Sequence, residues 1–134
     1  MCLIVCAWKT NPNYPLILGT NRDEYHSRPT KKLHWWADNP KILGGRDLHA
    51  GGTWLALNKT GYLSAVTNHH AKEKTKNNIF RTRGELVSKF LLEEKPPINF
   101  IRNINQHAYQ KFNLLITNGI DLIYTSNHGH PHQK

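Results

Sequence analysis

Acidic residues are scarce: nine Asp and Glu stand against 18 Lys and Arg in 134 residues, a net charge of +9. That deficit points to anionic partners, whether nucleic acid, acidic lipid or a carboxylate-bearing small molecule. Cysteine is scarcer still, with Cys2 and Cys6 alone. Four residues along a strand span about 13 Å at ~3.3 Å per residue, too far for a disulfide, so both are read as free thiols in a reducing compartment.

Long apolar runs are missing as well, which excludes a transmembrane helix. The start, MCLIVCAWKT, has no basic flank before its short apolar stretch. It therefore does not read as a secretory signal, and a cytoplasmic protein is expected. No internal repeat, zinc spacing, recognition helix or RNA-binding aromatic motif is present, so no sequence-specific nucleic-acid binding is expected. The one dense basic cluster, KEKTKNNIFRTR at 72–83, reads as a solvated loop.

The residues present suit one ordinary domain over 1–127, with 38% hydrophobic and 20% charged content, followed by a flexible His-containing tail over 128–134. The alternate histidines of that tail lack neighbouring Cys or carboxylates, and no metal site is expected. Three hairpins are predicted. Leu3–Trp8 and Tyr14–Leu18 flank Asn11-Pro12-Asn13, Thr53–Leu57 and Tyr62–Thr67 flank Asn58–Gly61, and Phe112–Thr117 and Leu122–Thr125 flank Asn118-Gly119.

Thr82-x-x-Glu85 has the form of a capping box before apolar residues at helical spacing, predicting a helix over 82–92 with a Glu85–Lys89 pair. Pro96-Pro97 ends it and opens a second helix, with Ile98, Ile101, Ile104 and Ala108 on one face. The stretch around Trp35 and Trp36 reads as irregular, and Gly44, Gly45, Gly51 and Gly52 as turn glycines. Hairpins, two adjacent helices and a further hairpin describe an α+β fold.

Cys2 is the first candidate for chemistry. Removal of Met1 would leave a thiol beside a free α-amine, a nucleophile with its own base, since a model α-amine has a pKa of about 8 and a model thiol about 8.5. If the first two strands pair, the end of the second lies beside Cys2. Asp23 could then orient the amine, while Arg22, with Asn21 next to it, could face an anionic group. Asn68 and Asn127 each close a predicted strand and could donate to an oxyanion.

Asn21-Arg22-Asp23-Glu24, Arg28-Pro29, Gly44-Gly45-Arg46-Asp47, Gly51-Gly52-Thr53-Trp54, Thr67-Asn68, Arg83-Gly84 and Phe112-Asn113-Leu114, in this order, resemble the NRDE family, also called the transport and Golgi organisation 2 family. That family is similar to N-terminal-nucleophile (Ntn) hydrolases of the choloylglycine and penicillin V acylase kind. The resemblance implies an αββα sandwich, here its N-terminal half. Family members run longer, so a fragment or a truncated gene is expected.

The resemblance also implies a function: an amidohydrolase acting on a non-peptide amide. Cys2 would be the nucleophile, Asp23 would hold its amine, and Asn68 and Asn127 would stabilise the oxyanion. The hydrolases carry an Arg where this chain has Gly19, and Arg22 follows Asn21 instead. Family members are also implicated in haem trafficking, which makes a non-enzymatic haem binder the alternative. Histidines would supply axial ligands, and Trp35, Trp36 and Trp54 would stack on the macrocycle. No cofactor is expected for the hydrolase, and a homodimer could complete the sandwich layers.

Overall fold

The computed structural model describes residues 2–69 and 80–129. The chain opens with an antiparallel hairpin, β1 (Ile4–Trp8) and β2 (Leu16–Thr20), in which Ile4 lies opposite Thr20 and Trp8 opposite Leu16. The predicted turn is there, and Asn11 Oδ1 accepts the Asn13 N–H at 2.8 Å. This hairpin stands as a sheet of its own.

A second sheet has six antiparallel strands in chain order: β3 (Thr30–Trp35), β4 (Ile42–Asp47), β5 (Leu55–Asn58), β6 (Leu63–Asn68), β7 (Phe112–Thr117) and β8 (Leu122–Ser126). Helices α1 (Gly84–Glu93) and α2 (Pro97–Arg102) enter between β6 and β7. They cover one face of this sheet, α1 against β4, β5 and β6 and α2 against β8. Leu86, Val87, Phe90 and Leu91 of α1 are buried with Ile42, Val66, Leu114 and Ile116 of the strands, and Phe90 meets Phe100 edge-on at 5.1 Å. The described residues thus form an α+β fold.

Strands β3 and β4 replace the predicted irregular stretch. β3, TKKLHW, is a mostly exposed edge strand protected by two lysines, and so has little apolar alternation to signal it. β4 contains Gly44 and Gly45, which are not turn glycines. A Cβ on Gly44 would lie 2.6 Å from the Ala56 Cβ, and one on Gly45 would lie 2.6 Å from the Trp54 ring. Close approach of neighbouring chain, not backbone freedom, requires glycine there. Gly51, at φ +75°, is a true turn glycine.

The helix starts also differ from expectation. Arg83 caps α1 with no side-chain hydrogen bond, so the Thr82/Glu85 box does not form. Glu85 instead pairs with Arg81 at 2.7 Å and accepts the Tyr109 hydroxyl at 2.6 Å, while Lys89 pairs with Glu93 at 3.8 Å. Burial and the Glu85 carboxylate push the Tyr109 hydroxyl up to about 12. α2 stops at Arg102 and buries Pro97, Phe100 and Ile101, leaving Ile98 exposed, and a separate 3-10 turn at Gln106–Ala108 carries Ala108.

Candidate pocket at Cys2

The chain leaves β2 by folding back on its own beginning. Asn21 Oδ1 accepts the Leu3 N–H at 2.7 Å, and the Thr20 hydroxyl donates to the Leu3 carbonyl at 2.8 Å. This clasp brings residue 23 to residue 2. The Asp23 backbone N–H donates to Cys2 Sγ at 3.2 Å, and the thiol lies 3.7 Å from the Asp23 carbonyl. Asn21 therefore acts through the backbone of the hairpin, and it does not line the pocket that follows.

That pocket, about 100 Å³, opens in front of Cys2, between the hairpin end and the six-stranded sheet. Arg22 and Asp23 line it from one side and Thr53, Trp54 and Asn68 from the other. The Arg22 guanidinium lies over the Trp54 ring, 4.6 Å from its centroid, a cation–π contact that fixes the side chain at the mouth.

Arg28 docks the loop after β2 onto the sheet. Its Nη2 and Nε donate to Asp47 Oδ2 at 2.7 and 3.1 Å, and Glu24 lies 3.6 Å away. Burial alone would raise the Asp47 carboxyl. The Arg28 hydrogen bond and the backbone N–H groups of His49 and Ala50 outweigh it and hold the carboxyl below the usual range. The hydrogen bond to Asp47 likewise strengthens the hold of Arg28 on its proton.

The third arginine comes from far along the chain. The loop at Gly52 and Thr53 packs backbone to backbone on the start of α1, where a Cβ on Gly52 would lie 2.6 Å from the Gly84 carbonyl carbon. Only glycines permit this approach, and it delivers Arg83 to the pocket wall. Arg83 Nη1 donates to the Lys111 carbonyl at 3.1 Å, and no carboxylate among the described residues forms an ion pair with it. Burial lowers its proton affinity, against which the charge on Glu24 acts first; Arg28 lowers it further and Cys2 raises it.

Of the predicted site residues, Cys2, Arg22, Asp23 and Asn68 come together here, and Asn21 and Asn127 do not. Asn68 Oδ1 is buried with no hydrogen-bond partner among the described residues. Asn127 has a different task. Its Oδ1 accepts the Phe112 N–H at 2.8 Å, and its Nδ2 lies 3.1 to 3.3 Å from the carbonyls of Gln106, Tyr109 and Gln110. An amide engaged on both ends with backbone clamps the entry to β7.

Arg28, Asp47, Thr53 and Arg83 were not among the predicted site residues, and Trp54 was named only for the haem alternative, although each falls in a segment quoted for the family resemblance. Met1, residues 72–79 of the basic cluster, and His130 and His132 of the tail lie outside the described residues. Among those described, no helix is long and apolar enough to cross a membrane.

The profile of the Transport and Golgi organisation 2 family matches residues 1–134. The chain belongs to that family. It is 34% identical over 145 aligned residues to "Transport and Golgi organization 2 homolog" of Mus musculus, covering 98% of this chain and 52% of the relative. The Homo sapiens homologue matches at the same identity and coverage. "Transport and Golgi organization protein 2" of Drosophila melanogaster is 31% identical, over 86% of this chain and 45% of its own length. The chain spans about half the length of the family members it matches.

Proposed function

We propose that this family member is an amidohydrolase that uses Cys2 as an N-terminal nucleophile on a non-peptide amide. The observation that carries the reading is the fold-back at the hairpin end. It sets the Cys2 sulfur against the Asp23 N–H, at the mouth of a pocket that Asn68 also lines. The reading treats β1 and β2 as the beginning of a second sheet, as in an Ntn-hydrolase-like αββα sandwich.

The chemistry balances with the chain's own groups once the residue before Cys2 has been removed. The free α-amine takes the thiol proton, the thiolate attacks the amide carbon, and negative charge develops on the carbonyl oxygen, where the Asn68 amide donates. Collapse breaks the C–N bond, and the ammonium proton passes to the departing nitrogen, leaving a thioester on Cys2. Water then adds to the thioester, releasing a carboxylic acid and restoring the thiol. Asp23 orients the ammonium throughout.

The haem alternative draws less support. A pocket of about 100 Å³ is too small to enclose a porphyrin. Trp54, Trp36 and Trp35 each carry a cationic side chain, Arg22, Arg46 and Lys59 respectively, on the ring that a macrocycle would need.

The deciding measurement is the intact mass of protein tagged only at its C-terminus, followed by hydrolysis of a panel of fluorogenic N-acyl amides. The expected result is loss of Met1 and turnover that disappears in Cys2→Ala. A retained Met1 leaves no α-amine at Cys2 and overturns the mechanism, as does equal turnover by Cys2→Ala.

A further inference from the structure

Two groups at the pocket are incomplete as the chain folds. Arg83 presents a half-buried guanidinium at the pocket wall, with one N–H on the Lys111 carbonyl and no carboxylate ion-paired to it among the described residues. Of the other arginines of the pocket, Arg28 is paired with Asp47 and Glu24, and Arg22 lies over the Trp54 ring at the mouth. Asn68 supplies the second incomplete group, a buried carbonyl oxygen lacking a donor among the described residues. A desolvated guanidinium attracts an oxyanion far more strongly than a hydrated one, and its fork matches carboxylate or phosphate geometry.

We infer that Arg83 is the residue that receives an anionic group of the substrate. The substrate class is then an amide with a carboxylate or phosphate oxyanion close to the scissile bond. This deepens the amidohydrolase reading and rests on it for the word substrate, but the anion preference of the pocket is a property of its own. The small volume suits a compact charged group beside Cys2, with the remainder of the molecule lying toward the open mouth.

Two alkylating probes of nearly equal size separate charge from reactivity: iodoacetate, which is anionic, and iodoacetamide, which is neutral. Cys6, an exposed thiol in the same chain, is the internal control. Rates at each cysteine are read by fragmenting the N-terminal tryptic peptide. The expected iodoacetate-to-iodoacetamide rate ratio at Cys2 exceeds that at Cys6 by about tenfold, the scale of one charge contact in a partly screened site. Arg83→Gln should bring the Cys2 ratio down to that of Cys6, and Arg83→Lys should keep part of it. Equal ratios at the two thiols of the wild-type chain, or an unchanged ratio in Arg83→Gln, overturn the inference.

Protection by inorganic phosphate or by acetate identifies which oxyanion fits, and either one supports the assignment. Slow alkylation of Cys2 by both probes relative to Cys6 would count against the nucleophile reading alone. The ratio would still report the field of Arg83.

Discussion

The β1–β2 hairpin and the helix-covered sheet are built on opposite principles. The sheet has a core: Phe90, Phe100, Phe112 and Leu114 are almost wholly excluded from water. The hairpin has none of its own, and Leu3, Val5 and Ile17 are all more than half exposed. Yet the hairpin supplies Cys2, Arg22 and Asp23, while the cored region supplies Asn68 and Arg83. The core thus lies in one unit and the pocket between the two, which are joined by the Arg28–Asp47 pair, the Arg22–Trp54 stack and the Lys9 ammonium on the Ile120 carbonyl at 2.9 Å.

The largest expected effect breaks the cored side. Phe90→Ala should cost about 3–5 kcal/mol in urea denaturation, because its cavity lies between the helices and the sheet. Val5→Ala on the hairpin should stay within ~0.5 kcal/mol. Equal costs would mean that the two regions share one core.

Asn127→Ala comes next. Removing the amide strands the Phe112 N–H and the carbonyls it ties down, at an expected ~1–3 kcal/mol per buried group left unpaired. The same variant should leave the alkylation rate of Cys2 unchanged, whereas a direct role in the pocket would alter both readings.

Asn21→Ala sharpens the comparison from the hairpin side. Loss of its hydrogen bond to the Leu3 N–H should speed hydrogen exchange at Leu3 and slow alkylation of Cys2, with a change in the global unfolding free energy of less than ~1 kcal/mol. A large global shift would show that the hairpin end holds up the fold as well as the pocket.

The smallest effect concerns the joint between the two units. The Asp47 carboxyl is held below its ordinary value in the folded chain, so its contribution is complete above the usual carboxylate range. It is lost as the pH falls through that range toward the lowered folded value. Asp47→Asn should therefore flatten the acid limb of stability against pH. An unchanged acid limb would remove Arg28–Asp47 from the coupling of hairpin to sheet.

Much of this was legible in the chain. Apolar runs around Asn11-Pro12, the Asn58–Gly61 loop and Asn118-Gly119 marked three of the hairpins, and apolar spacing marked α1. β3 and β4 escaped notice because an edge strand rich in lysine and a strand containing two glycines lack the alternation that marks a strand. Within the site, the pairing of the first two strands was enough to bring Asp23 to Cys2. Arg83 could not be reached that way, since it arrives through a glycine-to-glycine contact between segments distant in sequence. Asn127 looked like Asn68 at a strand end, and only its four backbone partners tell them apart.

By itself, the sequence determined the family, the α+β class, the net positive charge and the placing of a thiol beside the strand that returns to it, because these depend on composition, order and local periodicity. Tertiary structure alone decided which arginines reach the pocket without a carboxylate partner among the described residues and which asparagine lines it. Burial, ion pairing and the closeness of two backbones are properties of segments brought together from far apart. No local pattern in the chain carries them.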